Sequence, residues 1–161
     1  NIEINKKLFF TSFIESFILE SRTRKTKKNT SLKPRTIQHY ETTLKKIEEF
    51  EKYIGKKVNL SNVDLNFHSH LIHYLENTAF LNPNTIGGYV DDIKLFCRSA
   101  ELKGNKISNE YKLKEFYSPS NNTQDIYLKE EEISKIYNTK FTPDYLDNAR
   151  DWLIIGLRTG L

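Results

Sequence analysis

The sequence predicts an all-α fold: a bundle of about four helices, followed by two further helical stretches. Apolar residues recur at three- and four-residue spacing in six windows, the period of one helix face. Proline heads two of the longest windows, where its missing N–H is no loss. Glycine follows each of those two, at Gly55 and Gly104, where helices commonly stop.

The first window, Leu8 to Ser21, carries two adjacent rows, Phe9-Phe13-Phe17 and Phe10-Ile14-Ile18, which together make a wide apolar stripe. Arg22 to Leu32 is polar, basic and aperiodic, a loop by composition. The second helix opens at Pro34 and runs to Ile54, with Ile37, Tyr40, Leu44, Ile47, Phe50 and Ile54 inward. Asn59 to Asp64 connects it to a third, Leu65 to Thr78, which buries Phe67, Leu71, Tyr74 and Leu75. The fourth starts at Pro83, with Asn82 a good N-cap, and buries Ile86, Val90, Ile93, Cys97 and Ala100 before ending near Gly104. Gly87-Gly88 in its first turns costs helix stability; the pair marks either close approach of another backbone or a plain packing need.

Residues 105–126 change character. Tyr111 to Tyr117 alternates loosely, as an extended segment would, and Ser118 to Gln124 has the composition of a linker. Two helical patterns follow. Lys129 to Tyr137 has Glu130, Glu131 and Glu132 in its first turn, the favourable end for acids. Tyr145 to Arg158 has Leu146, Ala149, Trp152, Leu153 and Leu157 on one face. The expected organisation is therefore one domain over 1–104, a connection over 105–126 and the start of a second unit over 127–161. The chain stops inside an apolar element and contains no Met, so it is expected to be cut from a longer protein.

Of its 161 residues 37% are hydrophobic and 29% charged, an ordinary balance for a water-exposed protein, with no apolar run long enough to span a membrane. The single Cys97 excludes an internal disulfide and a cysteine-rich zinc site, and fits a reducing cytoplasm. The net charge of +4 is unevenly spread. Arg22 to Lys46 holds nine basic residues against the one acid Glu41, net +8, and the rest of the chain carries net −4. Such a block either favours a polyanion through counterion release or is a solvated loop.

No phosphate-binding glycine loop, dinucleotide fingerprint or nucleophile elbow is present. Glu48, Glu49 and Glu51, like Glu130 to Glu132, read as solvated helix faces. His70 and His73 have the helical spacing of a metal pair, but His68 projects elsewhere and no further ligand joins them. These three are expected to be surface or partly packed histidines, and no metal is expected.

The most informative local feature is a repeat. Residues 34–40 read Pro-Arg-Thr-Ile-Gln-His-Tyr and residues 83–89 read Pro-Asn-Thr-Ile-Gly-Gly-Tyr, 49 residues apart (83 − 34). In each copy proline starts a helix, isoleucine turns to the core, and threonine sits in the first turn beside exposed backbone N–H groups. A helix start with a hydroxyl is a ready phosphate site; it is also simply good helix-start chemistry. Lys33 and Arg35 beside the first copy tilt the reading towards DNA.

These residues resemble a known family. The helix opening "K-P-R-T-I-x-x-Y", the "F-x-x-x-L-x-x-Y-L" of Phe67 to Leu75, "N-P-N-T-I" and "I-K-L-F-C-R-S-A" (Ile93 to Ala100) look like the SAM-like core-binding domain of the tyrosine recombinases, the integrases of phages and mobile elements. "Y-L-K-E-E-E-I-S-K-I" (Tyr127 to Ile136) resembles the opening of their catalytic domain. "A-R-D-W-L-I-I-G-L-R-T-G-L" (Ala149 to Leu161) is similar to the stretch just before their first catalytic arginine. Lys129 departs from the family's capping Thr or Ser, and Asp91-Asp92 places acid on a helix expected near DNA.

The resemblance implies the DNA-clamping part of a site-specific recombinase that integrates or excises mobile DNA. Family members join strands through a tyrosine nucleophile, without metal, ATP or other cofactor. The first catalytic arginine would directly follow Leu161; Arg158 does not match it, and none of the nine tyrosines matches the nucleophile, so this chain alone is expected to be inactive. The expected partners are double-stranded DNA and, for the full-length protein, further copies of itself on DNA; no membrane is expected. The candidate DNA contacts are Lys33, Arg35, Thr36, His39, Tyr40, Asn84, Thr85, Gly88 and Lys94. Two other readings of the residues remain: a helical DNA-binding regulator module, and a helical protein-interaction domain.

Overall fold

The computed structural model describes residues 8–25, 29–122 and 127–160. Among these the protein is all-helical. Its six α-helices are α1 (Phe10–Thr23), α2 (Pro34–Ile54), α3 (Leu65–Asn77), α4 (Pro83–Leu102), α5 (Glu130–Asn138) and α6 (Asp144–Thr159). Short 3-10 turns lie at Leu60–Asn62 and Asn109–Lys112. The chain divides into two compact units, Asn1–Asn121 and Asn122–Leu161. No described helix is long and apolar enough to cross a membrane.

The first unit is built on the predicted stripes. Phe10, Phe13, Ile14, Phe17 and Ile18 of α1 are buried, and Phe9, expected in the same row as Phe13 and Phe17, is exposed because it is the extended residue before the helix begins. Ile47 and Phe50 of α2, Phe67, Leu71 and Leu75 of α3, and Ile86, Val90, Ile93, Cys97 and Ala100 of α4 join them in one core. Phe96 is wholly buried too, and with Phe17 and Tyr40 it closes a triangle of edge-on rings at 5.1–5.6 Å. Edge-to-face contacts of this kind add roughly 0.5–1.5 kcal/mol each beyond burial.

Caps and stops follow from local chemistry. The Asn82 side chain accepts from the Thr85 N–H at 2.9 Å, and the Asp64 side chain accepts from Phe67 at 2.8 Å. Both satisfy N–H groups that a helix start leaves open. Gly55 ends α2 with φ of 68°, a left-handed conformation that residues with a Cβ rarely adopt.

Glu51 is not on a solvated face. It is buried at 4% exposure, accepting from the Val58 N–H at 2.9 Å and from Lys57 Nζ at 2.7 Å. It ties the end of α2 to the connector, which is also held to the chain start by Phe10 N–H to Val58 O and Leu60 N–H to Leu8 O, both 2.9 Å. Burying a carboxylate is tolerable here because a cation and an amide meet it.

The segment after Gly104 also differs from the expectation of an extended connection. Asn109–Lys112 is a 3-10 turn, and Tyr111 and Phe116 enter the core at 7% and 1% exposure. The Tyr111 hydroxyl donates to Glu101 at 2.7 Å. Two isolated aromatics thus bind this segment to the bundle, and the first unit runs on to Asn121. In the basic loop, α1 extends to Thr23 and Lys25 pairs with Ser31 in an isolated bridge. Lys27 and Lys28 lie outside the described residues.

In the second unit, Arg150 links α6 to the turn after α5 by donating to Thr139 O at 2.7 Å and to Asp147 at 2.9 Å. Neither α5 nor α6 buries a residue; Trp152 is 73% and Tyr145 67% exposed. Lys129 has no side-chain acceptor, so only half a capping box forms: its N–H donates to Glu132 at 2.8 Å.

Candidate nucleic-acid interface

The two repeat-bearing helices meet through their N-terminal halves. His39 Nδ1 lies 2.6 Å from Asp92 Oδ2, and the Thr43 hydroxyl donates to the same oxygen at 2.6 Å. The His39 ring lies against Tyr89, with centroids 6.1 Å apart, and 3.6 Å from where a Gly88 Cβ would stand. The meeting residues keep the register of the repeat: His39 and Gly88 are separated by 49 positions (88 − 39), as are Thr43 and Asp92 (92 − 43).

That register bounds where the two helix starts lie. Thr36 precedes His39 by three residues and Thr85 precedes Gly88 by three, so each is about 4.5 Å along its axis from the junction. Both threonines are half-buried, while Lys33, Arg35 and His39 are exposed. The two starts therefore flank one junction, with the basic residues of α2 beside it.

The starts differ in what they leave open. At α4 the Asn82 side chain takes both the Thr85 N–H and the Thr85 hydroxyl, the latter at 3.1 Å. At α2 the N-cap residue is Lys33, whose side chain has no acceptor; no side chain caps the helix, and the Thr36 N–H donates to the Lys33 carbonyl at 2.9 Å. In the basic block, Arg22 pairs with Glu41 at 2.6 Å and Lys46 with Glu49 at 2.7 Å. Lys33 and Arg35 make no ion pair among the described residues.

The acids of α4 are accounted for inside the protein. Asp92 is buried, and burial raises its carboxyl above the usual carboxylate value, opposed by the hydrogen bonds from Thr43 and His39. Asp91 accepts from the Ser118 hydroxyl at 2.5 Å. Neither presents an unpartnered carboxylate at the junction.

Three predicted contacts have internal roles. The Tyr40 ring packs on Phe17 and Phe96, and its hydroxyl pKa is raised chiefly by burial. Asn84 Oδ1 accepts from the Asn121 N–H at 2.7 Å. Lys94 donates to Ser118 at 3.2 Å. Thr43 and Asp92 hold His39; in the sequence Thr43 carries no signal and Asp92 stands out only as acid on a helix expected near DNA, because a pairing 49 residues apart leaves no local trace. His68 is buried, its Nε2–H donating to Tyr117 O at 2.7 Å, whereas His70 and His73 are exposed. No group of three metal-ligating side chains occurs among the described residues.

A family profile described as the phage integrase SAM-like domain matches residues 9–118. The chain belongs to that family. The match spans α1 to α4 and the segment packed after them, so the integrase-type module coincides with the helical core and points to DNA binding in general. No curated protein and no solved structure gives a significant match.

Proposed function

We propose that this chain is the non-catalytic DNA clamp of a site-specific tyrosine recombinase that integrates or excises mobile DNA. The observation that carries the proposal is the α2–α4 junction: two helix starts of matching chemistry, one of them uncapped and flanked by Lys33 and Arg35, in a domain of the integrase family. Duplex phosphates would lie along Lys33, Arg35 and Thr36, with His39, Thr85 and Gly88 completing the surface. Asn84 and Lys94 extend it along α4, and Tyr40 holds α2 in place from beneath. Residues 127–161 are read as the opening of the catalytic domain, on the resemblance of Tyr127 to Ile136 and Ala149 to Leu161. Self-association of the full-length protein on DNA belongs to the same reading.

Binding to a labelled duplex tests it across a salt series. Each phosphate neutralised adds roughly 0.9 to the slope of log affinity against log salt, so affinity should fall steeply towards physiological salt. A flat response would favour the protein-interaction reading instead. The chain alone should neither relax supercoiled plasmid nor form a covalent adduct with it; either activity would overturn its assignment as non-catalytic.

A further inference from the structure

The chain after the second 3-10 turn is strapped along α4. Phe116 is buried, and the His68 ring stacks on it at 4.4 Å while donating to Tyr117 O. Ser118 then donates to Asp91 and accepts from Lys94. The Pro119 carbonyl rests on Gly87, so closely that a Cβ there would stand 2.2 Å from its oxygen. The Asn121 N–H ends the series on Asn84. Asn84, Gly87, Asp91 and Lys94 are spaced by three, four and three residues, one stripe of one helix face.

The hold is uneven along its length. Phe116 and His68 fix the upstream end in the core. From Ser118 onward the hydrogen bonds join exposed or half-exposed groups, where water replaces a lost partner at little cost. Opening of Ser118–Asn121 is therefore a local event that leaves the core intact. Beneath it lie Asn84 and Lys94, two of the residues assigned above to DNA. Lys94 finds there a hydroxyl, itself bonded to Asp91, in the place a phosphate oxygen would take.

We propose that Ser118–Asn121 is an autoinhibitory strap that competes with DNA phosphate for Lys94 and covers Asn84, whose amide oxygen it holds. Duplex DNA then opens the strap, and loss of the strap strengthens DNA binding. The proposal rests on the DNA-binding reading given above. Its magnitude follows from population: a strap closed in about nine molecules of ten lowers apparent affinity about tenfold. Glycine at 87 is what permits closure, because any side chain there must displace the Pro119 carbonyl.

Gly87→Ala and Ser118→Ala in the whole chain test this, since neither removes a proposed DNA contact. Hydrogen exchange at the Asn121 amide reports the strap, and anisotropy of a labelled duplex reports affinity. In Gly87→Ala, Asn121 exchange should quicken and affinity should rise several-fold, up to about tenfold. Ser118→Ala should do the same to a smaller degree, and it carries the test if circular dichroism shows Gly87→Ala unfolded. DNA added to the unmodified protein should also quicken Asn121 exchange. Faster exchange with unchanged or weaker DNA binding would overturn the proposal, as would protection of Asn121 by DNA. Failure of the unmodified chain to bind duplex at any salt would instead strike the DNA-binding reading itself, before any variant is compared.

Discussion

The hydroxyl of Thr43, a side chain with no solvent exposure, donates at 2.6 Å to the buried carboxylate of Asp92. It joins the two repeat-bearing helices at the point where His39 reaches the same oxygen. The same proton is shared with the His39 carbonyl one turn earlier, the longer arm at 3.2 Å. The one hydroxyl therefore bears on both the seam and the residue that lines it.

Thr43→Val keeps the shape and removes the donor. Asp92 would stay buried with one partner fewer, and an unmet buried polar group costs about 1–3 kcal/mol. Urea unfolding should show a loss in that range, and Thr43→Ser, which retains the hydroxyl, should lose less. Equal stability of the valine variant and the parent would show that the seam does not depend on this bond.

Acid should weaken the fold through His68. Burial lowers its pKa below the usual 6.5, the hydrogen bond to Tyr117 O opposes that, and nearby Lys94 adds to the lowering. A histidine depressed on folding contributes stability that is fully present above 6.5 and is lost as pH falls through its folded value. Protein NMR should place the imidazole midpoint below 6.5. His68→Phe should flatten the fall in stability with acid below that pH. A midpoint at or above 6.5 would remove the argument.

Cys97 should resist thiol reagents until the bundle opens. It has no solvent exposure, and burial pushes its thiol from 9.0 up to about 12. That shift alone lowers the thiolate fraction near neutral pH by roughly a thousandfold, before steric exclusion is counted. Reaction with an aromatic disulfide reagent should be slow in buffer and complete in denaturant. Fast reaction in buffer would mean that the α4 face opens readily.

Helices were legible in this sequence wherever period and punctuation agreed. Pro34 and Gly55 bracket α2, and Asn82 before Pro83 marks the cap of α4; each acts within one or two turns of its own position. What was hidden depends on distant partners. Glu51 looks solvated among its acidic neighbours until the Val58 amide and Lys57 come back to it. Tyr111 and Phe116 are single aromatics with no period, so their packing into the core has no local signature. Gly87-Gly88 left close backbone approach and a plain packing need equally open, and only the fold shows the approach at Gly87 and that the visitor is Pro119. The candidate site divides the same way: the starts of α2 and α4 are readable, while the Asp92 contacts and the strap over Asn84 and Lys94 are not.

The α2 start should contribute more to DNA binding than the α4 start, although their sequences match. At α4 the Thr85 N–H and hydroxyl are both engaged by Asn82. A phosphate there must displace an existing cap. At α2 no side chain caps the first turn, where the Thr36 N–H turns only to the Lys33 carbonyl, and Lys33 and Arg35 stand beside it without ion-pair partners among the described residues. Arg35→Ala should therefore weaken binding about equally on all duplex sequences and reduce the salt slope by roughly 0.9, the signature of one lost phosphate contact. Thr36→Val should weaken it less, and Thr85→Val least of all. Asn82→Ala separates capping from binding: it should cost about 1 kcal/mol of stability, while freeing the α4 amides for phosphate and so leaving affinity unchanged or improved. If Thr85→Val weakens DNA binding more than Arg35→Ala does, the phosphate site lies at α4 and the asymmetry argued from the caps is wrong.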